Sequence, residues 1–250
     1  MCGIAGIVQL NKTPDILGRQ AELMANAISH RGPDNFGIWA SQTHPIALSH
    51  RRLSILDTSA SGHQPMSSHS GQHVIVFNGE IYNFRQLREQ LDRLDVAFSG
   101  HSDTEVLVNT IDTLGVEKAI SKAKGMFALA CWNNKTGKLT LARDRMGEKP
   151  LYYGIINNSF VFSSELKSIF EIFPANTLTI DQTALNQFLR FGYISSPISI
   201  FSEIKKVAPG EILEFDISNW QQKKQGITEN ILARKYWDIF DYAGNRDISL

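Results

Sequence analysis

The chain has 250 residues, and 25 Lys plus Arg balance 25 Asp plus Glu, so the formal charge is zero. At about 150 residues per domain this length holds one large domain or two small ones, and a core of that size needs no disulfide or metal staple. The charge balance excludes the basic footprint of a nucleic-acid binder and the acidic excess of a disordered chain. Two cysteines, Cys2 and Cys131, make neither a disulfide framework nor a paired-cysteine metal motif. No apolar run approaches the roughly 18 residues of a membrane span, and the apolar start, residues 1–8, lacks the basic stretch and cleavage site of a signal peptide. The expectation is a soluble, cytoplasmic protein with no metal site and no nucleic-acid or membrane partner.

Residues 3–10 form a short apolar run bounded by turn residues, which predicts a buried strand. Thr13-Pro14 predicts a helix start, with Thr as cap, and Leu17, Ala21, Met24 and Ile28 recur at helical spacing until Arg31-Gly32-Pro33. Strand-like pieces follow at 36–40, 46–49 and 73–77. A second helix is predicted from Phe84, with Leu87, Leu91 and Leu94 on its face. A third starts at the capping box Ser102-Asp103-Thr104-Glu105, carries Val106, Ile111 and Leu114, and closes at Gly115. Strands are then predicted at 126–132, 138–143, 151–156 and 159–163. Segregated runs of strands and helices favour an α+β fold over an alternating parallel sheet. Beyond Pro174 come one helix at 184–191, a proline-containing loop at 195–198 and a strand at 211–217, and the polar stretch 221–226 reads as a surface loop or the start of a linker.

Cys2 has only Met1 before it. Removal of Met1 leaves a cysteine carrying a free α-amine, whose reference pKa of about 7.7–8.0 makes it partly neutral near physiological pH and so a base on the same residue as the nucleophile. Asn78-Gly79 follows the apolar run 74–77. It reads as a turn, or as two donors for a tetrahedral oxyanion: an amide side chain and a glycine N–H that a substrate can approach closely. Arg52 is either a solvated surface charge or a bidentate carboxylate clamp. Asp103 either complements its helix dipole or binds an ammonium. An arginine with one or two acids suits the two charged ends of an amino acid. Cys131, in an apolar strand, reads as a buried small residue.

Met1-Cys2-Gly3-Ile4, His30-Arg31-Gly32-Pro33-Asp34, Arg52-Leu53-Ser54-Ile55, Asn78-Gly79-Glu80-Ile81-Tyr82-Asn83, Ser102-Asp103-Thr104-Glu105 and Arg143-Asp144-Arg145-Met146-Gly147 occur in order. As a set they resemble the glutaminase domain of class II glutamine amidotransferases, and within them the branch of glutamine-dependent asparagine synthetases. The resemblance covers residues 2–217 and implies the four-layer αββα sandwich of N-terminal-nucleophile hydrolases. It implies Cys2 as nucleophile and Asn78 with Gly79 as oxyanion hole. Arg52 would clamp the glutamine α-carboxylate, Asp103 and Glu80 would bind the α-amine, and Leu53, Ser54, Ile55 and Leu56 would line the pocket. Arg31 and Asp34 read as loop scaffold. Residues 218–250 are expected to be a linker toward an ATP-binding synthetase domain. That domain's Ser-Gly-Gly-x-Asp-Ser loop does not occur in these residues, so no cofactor is expected here and ATP and magnesium belong to the missing domain. The expected partners are glutamine, the synthetase domain in cis and a second copy as homodimer. Two alternatives stay open: a related amidotransferase with another acceptor (a sugar, a peptide or a natural-product acid), and a non-catalytic regulatory domain.

Overall fold

The computed structural model describes residues 1–55, 57–223 and 226–242. Among them, twelve strands form two six-stranded antiparallel sheets. The first sheet holds β1 (Gly3–Gln9), β2 (Asn35–Ala40), β3 (Ile46–Arg52), β8 (Tyr152–Ile156), β9 (Ser159–Ser163) and β10 (Ile204–Lys206), in the order β10-β8-β9-β1-β3-β2. The second holds β4 (Met66–Ser67), β5 (His73–Ile81), β6 (Gly125–Asn133), β7 (Lys138–Arg143), β11 (Glu211–Asp216) and β12 (Ile231–Lys235), in the order β12-β11-β7-β6-β5-β4.

Alternation along the strands sends one set of side chains between the sheets and the other outward. Ile4, Val8, Leu48, Val76, Trp132, Phe160 and Phe215 make the inter-sheet core. The outward set of the first sheet, including Ala5 and Ile7, packs under α1 (Pro14–Ala27) and α5 (Leu166–Phe170). That of the second, including Ile75 and Phe77, packs under α2 (Phe84–Asp92), α3 (Asp103–Leu114) and α4 (Val116–Lys122). The result is the expected four-layer αββα sandwich. Each large apolar side chain buried in these layers contributes about 1.5–3 kcal/mol. On the rim lies α6 (Gln182–Phe191), whose start is capped by Asp181 accepting from Ala184 N.

Local signals set the first elements. The Thr13 hydroxyl accepts from Ile16 N at the start of α1, with Pro14 in its first turn. The Ser102 box is only half formed: its hydroxyl caps Glu105 N at 3.2 Å, but the Glu105 carboxylate accepts from Ser99 N and Gly100 N at 2.6 and 2.9 Å. The helix start is thus fastened to the preceding loop. Two expectations change. β5 does not turn at Asn78-Gly79 but runs on to Ile81, paired with β6 throughout. Within 218–223 and 226–242, the part of the expected linker that the described residues cover, the chain packs on the domain: α7 (Ile217–Lys223) follows β11, Trp220 enters the inter-sheet core, and β12 pairs with β11 in the register Leu213↔Ala233. Residues 224–225 and 243–250 of that expectation lie outside the described residues. The Tyr236 hydroxyl then donates to Arg143 O at 3.0 Å. β12 is only five residues long, Ile231-Leu232-Ala233-Arg234-Lys235, too short a run for an alternation to mark it as an edge strand.

Candidate active site

The inter-sheet layer opens at one end, where β1 begins and β3 and β5 finish. Strand alternation puts Cys2 on the inner face with Ile4 and Val8, Arg52 with Ile46 and Leu48, and Asn78 and Glu80 with Val74 and Val76. These groups meet in a cleft of about 210 Å³ that Asp103 also lines. It is smaller than the about 300–1,000 Å³ of drug-sized sites and suits a ligand the size of one amino acid.

Cys2 is half-buried. Its sulfur accepts from Leu53 N at 3.4 Å and lies 3.6 Å from Leu53 O. Arg31 donates from Nε to Cys2 O at 2.9 Å and from Nη1 to Glu165 Oε1 at 2.9 Å, so this residue of the expected scaffold holds the backbone of the candidate nucleophile. Burial pushes the Cys2 thiol up; the Leu53 N–H, the chain's amino-terminal charge and Arg52 pull the other way. The α-amine here belongs to Met1, whose residue is 57% exposed.

Asn78 is 1% exposed, yet its Nδ2 has no hydrogen-bond partner. A buried amide donor left unpaired costs about 1–3 kcal/mol. Its neighbour Gly79 faces Phe127 in the ladder, but Phe127 gives its N–H to Asp144 Oδ2 and its carbonyl to Asp144 N, on the far side of β6. The alternation of an antiparallel pair therefore turns the Gly79 N–H away from β6, to the open edge of β5 that borders the cleft. Glycine is required there, because a Cβ would strike the Met126 carbonyl.

The Arg52 guanidinium is buried and donates to the carbonyls of Ser59, at 2.9 Å, and Asp57. Among the described residues, two of its five N–H donors are engaged in these bonds. Gly62 lies so close that a Cβ would run into this guanidinium. Asp103 is buried at the start of α3 and accepts from Ile81 N at 2.8 Å. Leu53, Ile55 and Glu80 line the cleft; Ser54 does not, and its N–H is taken by Asp34 at 2.8 Å. Leu56 lies outside the described residues.

Burial pushes the Asp103 carboxyl up to about 6 from its ordinary 3.8, outweighing the N–H groups of Ile81 and Thr104. The native state then holds this proton to higher pH than the unfolded chain, so stability falls as pH rises between those two values. Asp103→Asn, which cannot ionise and keeps a carbonyl acceptor for Ile81, is expected to be more stable than the wild type at pH 8, by on the order of 3 kcal/mol. The gain should vanish below pH ~4. Melting curves at the two pH values check this, and an equal gain at both would refute it.

Ser102 and Thr104, from the capping box, and Met126, from a predicted strand, also line the cleft, as do Gln64 and Lys149, which were not singled out from the sequence. No local signal marks these two, because pairing across distant strands brings them in. Lys149 is placed by Asp144, whose carboxylate accepts from the N–H groups of Met146, Glu148 and Lys149. Cys131 is buried, with its thiol pushed up to about 12 by desolvation. His69 and His73 stand four apart, but the His73 ring is engaged by Asp112 and Asn133. No cluster of three or more potential metal ligands occurs among the described residues, and no helix among them is long and apolar enough to cross a membrane.

A four-layer αββα sandwich with this cleft at the head of its first strand has the architecture of the N-terminal-nucleophile hydrolases. It superposes on the solved glutamine phosphoribosylpyrophosphate amidotransferase of Bacillus subtilis with a TM-score of 0.64 at 20% identity, covering 94% of this chain and 49% of that one. The family model for the glutamine amidotransferase domain matches residues 1–226, and the chain belongs to that family. It is 41% identical over 216 residues to asparagine synthetase (glutamine-hydrolyzing) 1 of Bacillus subtilis, covering 84% of this chain and 33% of the relative. It is 36% identical over 177 residues to the amidase chry2 of Gibberella zeae, covering 67% of this chain and 26% of that protein. The chain spans about a third to a half of the length of three curated asparagine synthetases that it matches.

Proposed function

We propose that this chain hydrolyses glutamine to glutamate and ammonia through a thioester on Cys2, and that the ammonia serves asparagine synthesis from aspartate and ATP in a longer protein. The observation that carries the reading is the unpaired Asn78 Nδ2, buried at a cleft that also holds the Cys2 thiol. A donor kept idle in the resting fold is preorganised for charge that exists only during reaction.

In this reading Arg52 grips the glutamine α-carboxylate, and Asp103 and Glu80 receive the α-ammonium. Loss of Met1 puts the α-amine on Cys2, where it takes the thiol proton. This base answers the upward push of burial on the thiol. Sulfur attacks the side-chain amide carbon, and the oxyanion rests on Asn78 Nδ2 and the Gly79 N–H. The amine returns its proton to the leaving nitrogen, ammonia departs, and a γ-glutamyl thioester remains. Water adds to it, and glutamate leaves with the thiol restored.

Two measurements test the proposal. Acid-quenched protein mixed with glutamine should carry a γ-glutamyl mass on the peptide that begins at Cys2. A preparation that retains Met1 should release no glutamate, because its α-amine is then the nitrogen of an amide. Full activity with Met1 in place would refute the mechanism.

The acceptor of the ammonia is chosen outside these residues. The asparagine-synthetase relatives favour aspartate, with ATP and magnesium acting in a synthetase segment in cis. A sugar, peptide or natural-product acid is the alternative, and the amidase relative shows that the same domain type occurs under other names. The intact cluster of cleft residues argues against a purely regulatory domain. A cytoplasmic location, expected from the sequence, and a second copy as partner, expected from the family resemblance, complete the proposal.

A further inference from the structure

We infer that Gln64 and His50 are positioning residues for the oxyanion hole, acting together on the Phe77 peptide and through it on Asn78 and Gly79. The inference rests on the glutaminase reading above.

It starts from a gap in the second sheet. β4 pairs with β5 only opposite Val74 and Ile75, so beyond that point β5 is an edge. Phe77 lies past the end of β4, and it is buried. Its N–H and C=O both face the open side and would be costly to leave unpaired. Two side chains replace the missing strand. Gln64 Oε1 accepts from Phe77 N at 2.7 Å, and His50 Nε2 donates to Phe77 O at 3.1 Å. Gln64 is itself buried, and its Nε2 reaches Thr104 Oγ1 at 3.3 Å, beside Asp103. One amide therefore ties the strand of the oxyanion hole to the helix start that carries the ammonium partner.

His50 sits on β3 inside the sandwich. Burial lowers its pKa to about 3, so the ring is neutral and its single proton is on Nε2, facing the carbonyl. Its Nδ1 has no partner. An apolar residue would avoid that unpaired nitrogen, and the fold keeps it in order to hold a donor at Phe77 O. The peptide plane makes this consequential: fixing the Phe77 carbonyl fixes the direction of the Asn78 N–H and Cα, from which the side-chain amide projects. A misplacement of about 1 Å at such a group can cost about 100-fold in rate.

The test uses the full chain with Met1 removed. Gln64→Met is expected to lower kcat for glutamine hydrolysis about 10- to 100-fold and to leave KM within about threefold. Alkylation of Cys2 by iodoacetamide, a displacement at carbon that builds no oxyanion, should proceed at the wild-type rate. His50→Leu should show the same split, and it tests the carbonyl side even if Gln64→Met does not fold. Wild-type kcat in both variants would overturn the inference, as would a rise in KM alone or a fall in alkylation in step with kcat. Cys2→Ala runs alongside: if it still released glutamate the glutaminase reading itself would fail, a result separate from either variant's.

Discussion

Cys2→Ala is expected to release no glutamate above the blank while binding glutamine and melting as the wild type does. The thiol is half-buried, and its polar contacts are a 3.4 Å approach from Leu53 N and a 3.6 Å approach to Leu53 O, so little stability leaves with it. Arg52, Glu80 and Asp103 remain to receive the amino acid. What disappears is the only thiol in the cleft, since Cys131 is buried in the second sheet with its proton firmly held. A stopped assay for glutamate checks the rate, and calorimetric titration with glutamine checks retained binding. Glutamate release at the wild-type rate would end the thioester mechanism.

Asn78→Ala should lower kcat by about 10²–10³, equivalent to about 2.7–4 kcal/mol of lost transition-state stabilisation, with KM nearly unchanged. Removing a donor that is bonded at rest would also break that hydrogen bond. Here Nδ2 makes none, so its loss removes a cost of burial rather than a bond, and the melting temperature should stay close to that of the wild type. High stability combined with low turnover is the signature to look for. A variant that kept more than a tenth of wild-type turnover would show that the Gly79 N–H carries the charge unaided.

Much of the sandwich was legible because its signals are local. Thr13-Pro14 and Ser102 mark helix starts by chemistry that acts within one turn, and the apolar runs that became β6, β7 and β9 are bounded by turn residues. The short helices α4 and α5 were missed, since seven and five residues give too few repeats for a period to show. Asn78-Gly79 was legible as chemistry but misread as a strand end. The same dipeptide makes a turn when free, and here the ladder with β6 overrides it. The motif residues Cys2, Arg52, Asn78, Glu80 and Asp103 do converge on one cleft. Gln64 and His50 could not be read in advance, because their importance lies in where β4 ends, a property of pairing rather than of sequence.

The outermost strand of the second sheet bears on how such modules are joined to others. β12 and Tyr236 lie past the boundary at 217 that motif matching suggests, yet they are bonded to β11 and to the Arg143 carbonyl, one residue from the Asp144 anchor that places Lys149 in the cleft wall. A splice for grafting or exchange made before Trp237 would therefore cut through the unit it means to transplant.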